Sequence, residues 1–247
     1  MAKEFKDDRV RYFIGDVRDR DRLARAFEGV DVVVHAAALK QVPAMEYNPT
    51  EAIKTNVLGT QNVIEAALDK GVKKVLMVST DKAVNPVNLY GATKLCAERL
   101  MVAANDYGGL RRTHFSVVRY GNVMGSRGSV IPLFKEQKKS GVLTVTDMRM
   151  TRFLITLEGA VDFVWSCLER MEGGEVFVPK MRTKNIVDLA NEICPECQII
   201  FTGIRCGEKL HEVLISKDES RHAREEEDRY VIHRSIKNEK EFEYSSQ

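Results

Sequence analysis

Tyr90 and Lys94 stand four residues apart in the run Leu89-Tyr90-Gly91-Ala92-Thr93-Lys94. If that run is helical, the phenol and the ammonium lie on one side, one above the other. A cation beside a phenol favours phenolate and draws a tyrosine pKa down from about 10 toward neutrality, so the pair is a candidate acid/base unit. A short way upstream, Thr80, Asp81 and Lys82 add a hydroxyl, a carboxylate and a second amine. The spacing Y-x-x-x-K alone arises often by chance and fits an ordinary amphipathic helix. Its setting gives it weight: residues 79–94, S-T-D-K-A-V-N-P-V-N-L-Y-G-A-T-K, fall at a strand–loop–helix junction.

The elements that must hold these groups can be read from periodicity. Lys74-Val75-Leu76-Met77-Val78-Ser79 is short, apolar and β-branched, which predicts a buried strand. Asn85-Pro86 forces a turn or extended loop. From Tyr90 onward a helix would place Leu95, Leu100, Met101 and Ala104 on one face. Upstream, Val10 to Ile14 reads as a strand ending at Gly15-Asp16-Val17. Asp19 can cap a helix that runs to about Phe27 and is stopped by Gly29. Asp31 to Val34 is the next strand. His35-Ala36-Ala37-Ala38 then puts very small side chains where a strand meets a loop, suiting either close ligand approach or close helix–sheet packing; His35 is read as structural. Asn48-Pro49 opens a long helix that ends near Lys70-Gly71. Thr113 to Arg119 is a strand followed by the glycine-rich loop 121–128.

Strands alternating with helices predict an α/β fold, a parallel sheet with helices on both faces. Ligands of such sheets lie beyond the carboxyl ends of the strands, where Asp16, Ala36, Thr80 and Asn122 fall. Beyond residue 130 the pattern is less regular. Helices are expected over Ile131–Lys139, Leu157–Met171 and Ile186–Ile193, and strands at Val142–Val145, Glu175–Val178 and Gln198–Thr202. Residues 217–229 read as a charged, solvated stretch and 235–247 as a frayed tail.

At 247 residues the chain can bury a sizeable core. Its 38 basic and 36 acidic residues leave no electrostatic footprint for nucleic acid. No apolar run approaches the roughly 18–20 residues of a membrane span. Met1 to Asp8 is too charged for a signal-peptide core. Five irregularly spaced cysteines suit reduced thiols in a cytoplasm.

The string 79–94 resembles the active-site segment of extended short-chain dehydrogenase/reductases, and within them is most similar to the inverting UDP-N-acetylglucosamine 4,6-dehydratases. The resemblance covers nearly the whole chain. It takes in G-D-V-R-D (15–19), H-A-A-A-L-K-Q-V-P (35–43), N-P-T-E-A-I-K-T-N-V-L-G-T-Q-N-V (48–63) and R-Y-G-N-V-M-G-S-R-G-S-V-I-P (119–132), with M-T-R-F (150–153) and G-E-K-L-H-E-V-L-I (207–215). Retaining sugar dehydratases carry Asp-Glu where this chain has Asp81-Lys82. The large membrane-bound relatives usually have methionine where it has Tyr90, so the soluble branch fits better.

The resemblance implies a Rossmann-like fold, NADP or NAD as cofactor, a UDP-sugar substrate, a cytoplasmic enzyme of surface polysaccharide biosynthesis and a homo-oligomer. It assigns residues 1–130 to a cofactor domain, 131–234 mainly to a partly interleaved substrate lobe, and 235–247 to a tail. It implies that Tyr90 takes the C4 hydroxyl proton while Lys94 holds the cofactor ribose. Lys82 would remove the C5 proton, Asp81 protonate the departing C6 oxygen, and Thr80 hydrogen-bond the sugar. Cofactor-binding positions carried over are Asp16, Val17, Ala36, Lys40, Tyr90 and Lys94, with Asn56 as ligand or loop brace. Substrate-binding positions are Lys40, Asn122, Val123, Arg127, Arg152, Arg205 and Glu208; forked, permanently charged arginines suit a diphosphate. Cys194-Pro195-Glu196-Cys197, with Cys206 and His211 downstream, has zinc-like spacing. A strand intervenes and Gly207-Glu208 belongs to the substrate motif, so no metal is expected.

A dinucleotide fold should open on G-x-G-x-x-G after its first strand. That fingerprint is absent, and the resemblance begins just before what would be the third strand. The expectation is a chain that lacks the first two strands and the glycine loop, binds nucleotide cofactor poorly, and has a sheet that must re-pair or expose an edge. Two other readings stand beside the dehydratase: a nucleotide-sugar 4-epimerase or reductase, which needs no C5 base, and a non-enzymatic truncated fragment.

Overall fold

The computed structural model describes residues 7–107 and 113–233. The expected tail 235–247 and most of the charged opening lie outside the described residues. α1 (Arg20–Ala26) begins where the Asp19 side chain accepts from the Arg22 amide, and Gly29 follows at φ 71°. β1 (Val32–His35) leads to α2 (Val42–Tyr47), a short helix that no periodicity foretold. α3 (Pro49–Ile53) passes through a π-helical turn, Lys54–Leu58, into α4 (Gly59–Lys70), which Gly71 ends at φ 68°. Asn48 does not cap α3 with its side chain; its amide donates back to the Ala44 carbonyl at 2.9 Å.

β2 (Lys74–Thr80) runs into a 3-10 turn, Asp81–Ala83, and α5 (Leu89–Tyr107) follows. Then come β3 (His114–Tyr120), the two-residue β4 (Asn122–Val123), α6 (Val130–Gln137), β5 (Val142–Val145), β6 (Thr151–Ile155) and α7 (Leu157–Arg170). The chain continues with β7 (Glu175–Pro179), β8 (Thr183–Asn185), α8 (Ile186–Ile193), β9 (Gln198–Phe201), α9 (Lys217–Ser220), β10 (Ala223–Glu225) and β11 (Arg229–His233).

The main sheet has the order β1-β2-β3-β7-β11-β10. β1, β2, β3 and β7 are mutually parallel; β11 and β10 add antiparallel. Alternation along β2 and β3 sends Val75, Met77, Phe115 and Val117 to one face, against Ile64, Ala97 and Met101 of α4 and α5. Leu76 and Val118 point the other way, against Phe163 and Cys167 of α7. A second core joins α6, α8 and β5 through Phe134, Leu143, Leu189 and Ala190. A small sheet, β4-β6-β8, lies at the carboxyl end of β3. Among the described residues no helix is long and apolar enough to cross a membrane.

Three expectations are corrected. Val10 to Ile14 forms no strand, and Ile14 is 93% exposed. A strand is stabilised through cross-strand neighbours, and β1 pairs only with β2 among the described residues. Residues 217–229 are not solely a solvated stretch: most of them are exposed, but they form α9 and β10 and reach β11, with Ser220, Ala223 and Arg229 buried. Cys194 and Cys197 are not both reduced thiols but a disulfide, since the turn after α8 brings their Cα atoms to 5.3 Å. Cys96, Cys167 and Cys206 are free.

Candidate active site

Strand ends build the site. β2 delivers Thr80, whose side chain accepts from the Lys82 amide and so caps the 3-10 turn. That turn buries Asp81 completely and lifts Lys82 to the surface of a cleft. α5 starts directly beside it. Asn88 Oδ1 accepts from the Gly91 amide at 2.8 Å, and Glu46 Oε1 of α2 accepts from the Leu89 amide at 2.7 Å. With both first-turn amides satisfied, Tyr90 and Lys94 project from one side of the helix into the same cleft.

The cleft has two adjoining parts, of about 300 and 660 Å³. The smaller is lined by Ala36, Thr80, Tyr90, Lys94, Val123 and Arg127. The larger holds Arg152, Arg205, Glu208 and Glu212. Lys40, Lys82 and Asn122 line both, so Lys82 stands on the boundary between them. Its Nζ lies 3.0 Å from Asp81 Oδ1, 3.3 Å from Asn122 Oδ1 and 3.5 Å from Glu212 Oε1. Asp81 Oδ1 also accepts from the Thr80 hydroxyl at 2.9 Å, while its Oδ2 is buried without a hydrogen bond.

The electrostatics differ in two respects from what the assigned roles ask for, a tyrosine drawn toward neutrality by Lys94 and a lysine base with a pKa near the working pH. Lys94 does not draw the Tyr90 pKa down. Burial pushes the phenol above its ordinary value, opposed by its hydrogen bond with Thr80 and by the Lys82 charge. The Lys94 ammonium is instead turned to the Val78 carbonyl at 2.8 Å, and burial lowers it to about 8 against the opposing charge of Glu98. Lys82 also departs from expectation. Burial acts to lower it, but Asp81 and Glu212 prevail and hold it above the ordinary lysine value. His35 is buried, its Nε2 3.0 Å from Thr60 Oγ1, and burial followed by the Lys94 charge lowers it to about 3. A neutral, hydrogen-bonded imidazole fits the structural role expected of it.

Not every expected site residue reaches the cleft. Asp16 lies on a surface turn, ion-paired with Arg18 at 2.8 Å, and Val17 packs on the core beneath it. Asn56 is a brace: buried in the π-helical turn, it accepts from the Leu39 amide at 2.8 Å and donates to the Leu39 carbonyl at 2.9 Å. A π-helical turn often marks a functional site, and here it holds the loop that carries Lys40. The Arg152 guanidinium is 3.9 Å from Glu208 and donates to the carbonyls of Thr151, Lys209 and Leu210, which occupies much of its donor set. Sequence reasoning missed Glu212 and Lys209. Both sit in G-E-K-L-H-E-V-L-I, three residues apart, and the motif's own charge pattern was the available signal. No group of three or more His, Cys, Asp or Glu among the described residues is placed to hold a metal ion.

The nicotinamide side of a dinucleotide fits this cleft. Ala36 and Ala38 leave room for a flat ring, and Tyr90 and Lys94 line the same part of the cleft. The polysaccharide biosynthesis protein family matches residues 1–234. A UDP-N-acetylglucosamine 4,6-dehydratase (inverting) of Campylobacter jejuni is 56% identical over 96% of this chain and 72% of its own. A UDP-glucose 4-epimerase of Rickettsia conorii is 46% identical over 94% of this chain and 70% of its own. The solved structure of Pen from Bacillus thuringiensis superposes with a TM-score of 0.90 at 46% identity, covering 94% of this chain and 74% of that one.

Proposed function

Because the chain belongs to the polysaccharide biosynthesis protein family, we propose that its cleft carries out inverting 4,6-dehydration of a UDP-N-acetylhexosamine. The observation that carries this reading is Lys82. It stands on the wall shared by the two parts of the cleft, with Asp81 behind it and Tyr90 beside it. A 4-epimerase needs a base only at the C4 hydroxyl, whereas a dehydratase needs a second one for C5.

In this reading a nicotinamide dinucleotide, NADP before NAD, supplies hydride acceptance and return. Ala36, Lys40, Tyr90 and Lys94 would hold its nicotinamide half, with Asp16 and Val17 toward the adenine. Tyr90 takes the C4 hydroxyl proton, with the Thr80 hydroxyl as its hydrogen-bond partner. Lys82 takes the C5 proton once the 4-keto group has made it acidic. Asp81 provides the proton on which the C6 oxygen leaves as water. Asp81 is 0% exposed, so its proton reaches the cleft by way of the Thr80 hydroxyl, which gives up its own proton as it takes that of Asp81, while Lys82 keeps the C5 proton. Arg127 and Arg205 are exposed cations at the cleft and suit the diphosphate, whereas Arg152 shapes the wall more than it binds. Asn122 and Val123 line the sugar side, and in the larger part of the cleft Glu208 Oε2 accepts from the Arg205 backbone amide at 3.3 Å. We also read residues 1–130 as the cofactor half and 131–234 as the main source of substrate contacts, in a cytoplasmic, self-associating protein.

The test is C5 hydrogen exchange. Incubated in deuterated water with UDP-N-acetylglucosamine and with NADP in large excess, to offset the weak cofactor binding expected without a glycine loop, the chain should incorporate deuterium at C5 and form a 4-keto product. Lys82→Ala should lower that incorporation by at least 100-fold, the range of general-base contributions being roughly 100- to 10,000-fold. Epimerisation at C4 without C5 label would point to the epimerase reading instead.

A further inference from the structure

Lys82 is flanked by two carboxylates, and the chemistry above uses only one. The second belongs to Glu212, whose side chain is 4% exposed. Its Oε1 lies 3.5 Å from Lys82 Nζ, and its Oε2 lies 3.2 Å from Lys209 Nζ. Lys209 is anchored in turn by donating to the Val84 carbonyl at 2.6 Å. Asp81, Lys82, Glu212 and Lys209 therefore form one chain of alternating charge, of which Lys82 and Glu212 line the cleft. A buried carboxylate is costly unless paired, and this one is paired with the lysine that stands where the C5 base is needed.

We propose that Glu212 is the positioning residue for Lys82: it holds the ammonium at the cleft wall and balances its charge while Asp81 serves as the acid. The chemistry of this proposal rests on the dehydratase reading. Asp81 cannot be the acid and the counter-charge at the same moment. Before C5 is attacked the Lys82 proton passes to Asp81 along their 3.0 Å hydrogen bond, which leaves Asp81 the neutral acid and Lys82 the free amine. When the C5–H bond breaks, the proton bonds to Lys82 Nζ and the electron pair passes into the enolate of the 4-keto sugar. The new ammonium then has one carboxylate beside it, Glu212. As the Asp81 proton goes to the C6 oxygen, the enolate's electron pair forms the C5=C6 bond and restores the 4-keto carbonyl, the C6–O bond breaks and water leaves. Other groups facing Lys82 are Arg152 of β6, whose charge opposes its protonation, Tyr90 of α5, the neutral Asn122 of β4, and Lys209 across Glu212.

The decisive experiment reads Lys82 directly. The full chain is labelled with lysine carrying ¹³C at Cε, the Lys82 signal is assigned by its loss in Lys82→Arg, and its titration is followed by NMR. Glu212→Gln should lower the Lys82 pKa by a unit or more, a tenfold loss of proton affinity, and Glu212→Asp should recover part of it. Lys209→Met, which leaves Glu212 wholly to Lys82, should raise it. A packing defect would not move Lys82 in opposite directions in the two variants. If Glu212→Gln does not fold, Lys209→Met decides: an unchanged or lower Lys82 pKa there overturns the proposal, as does an unchanged value in a folded Glu212→Gln. The titration needs no sugar, so it separates the two ideas. Shifted titration without C5 exchange keeps the Lys82–Glu212 pair and rejects the dehydratase reading. C5 exchange with unmoved titration rejects Glu212.

Discussion

Lys94 shows how far burial can move a single residue. Its ammonium is held by one carbonyl, that of Val78, and by the nearby Glu98 charge, yet burial outweighs both and lowers it to about 8 from an ordinary 10.5. The sign of the consequence follows from linkage. Below about pH 8 folded and unfolded chains both carry the proton, and the cost of burying the charge is felt in full. Between about pH 8 and the ordinary value the unfolded chain still binds a proton that the folded chain has released, so this group's contribution to stability rises with pH across that window. The size is on the order of 3 kcal/mol. Urea unfolding of the wild type and of Lys94→Met, followed from pH 7.5 to 10, should give a stability difference that grows in favour of the wild type. A flat difference would mean that Lys94 is already neutral, or still fully charged, throughout. Sequence alone placed Lys94 beside Tyr90 but not its Nζ on the Val78 carbonyl, because spacing along a helix fixes a face and not where a flexible side chain ends.

At the scale of elements, α5 and the 3-10 turn before it act as one piece, and Gly91 is why. A Cβ there would meet the Lys82 carbonyl oxygen at 2.1 Å and the Pro86 Cβ at 3.0 Å. In an exposed helix, replacing Gly by Ala gains roughly 0.5–1 kcal/mol. Here the clash is with backbone, and forced overpacking costs about 1–3 kcal/mol, so destabilisation prevails. Gly91→Ala should lower the urea midpoint and reduce C5 exchange together, because the atom displaced is the carbonyl of Lys82 itself; an unchanged midpoint would show that the turn can move freely. The elements most legible in the sequence were those with a strong period: β2, β3, α5, α7 and α8 fall where their apolar patterns place them. Two kinds of element were not legible. Val10 to Ile14 has a strand's composition, but composition supplies no neighbour to pair with. The segment from Lys217 to Arg229 has the composition of a solvated loop and stays exposed at most positions, yet Arg119 of β3 anchors it through Glu219. That guanidinium, 1% exposed, bonds Glu98 of α5 at 2.6 Å and Glu219 of α9 at 2.8 Å. A charged core built from distant residues leaves no periodic trace. The same reasoning covers the site: Tyr90, Lys82 and Thr80 were marked by a motif, whereas Glu212 became visible only once the turn carrying Lys82 and the segment 207–215 met in space.

At the scale of the whole molecule, one surface bears on the proposed self-association. Tyr47 is 87% exposed, and along the long helix that follows Ile53 is 43% and Leu58 46% exposed, brought near a common face by the π-helical turn between them. α5 packs against this helix and offers small exposed side chains, Ala92 and Cys96, that would let another helix approach closely. In a two-fold assembly each such residue is buried twice. At about 1.5–3 kcal/mol for a large apolar side chain buried from full exposure, the part of Ile53 and Leu58 still exposed, less than half of each, offers from two copies a favourable term of roughly 3–5 kcal/mol before the costs of association, so Tyr47, Ala92 and Cys96 must supply the rest. A micromolar dimer needs a net of about 8 kcal/mol. Leu58→Glu removes two apolar contributions and brings two carboxylates into an apolar contact, which should weaken such a dimer by at least 100-fold. Light scattering on the wild-type chain at about 10 μM, a concentration above that dissociation constant, should therefore give twice the mass of one chain, and Leu58→Glu the mass of one, with helix content by circular dichroism unchanged. A monomeric wild type, or a Leu58→Glu variant that remains paired, would move the assembly surface away from these helices.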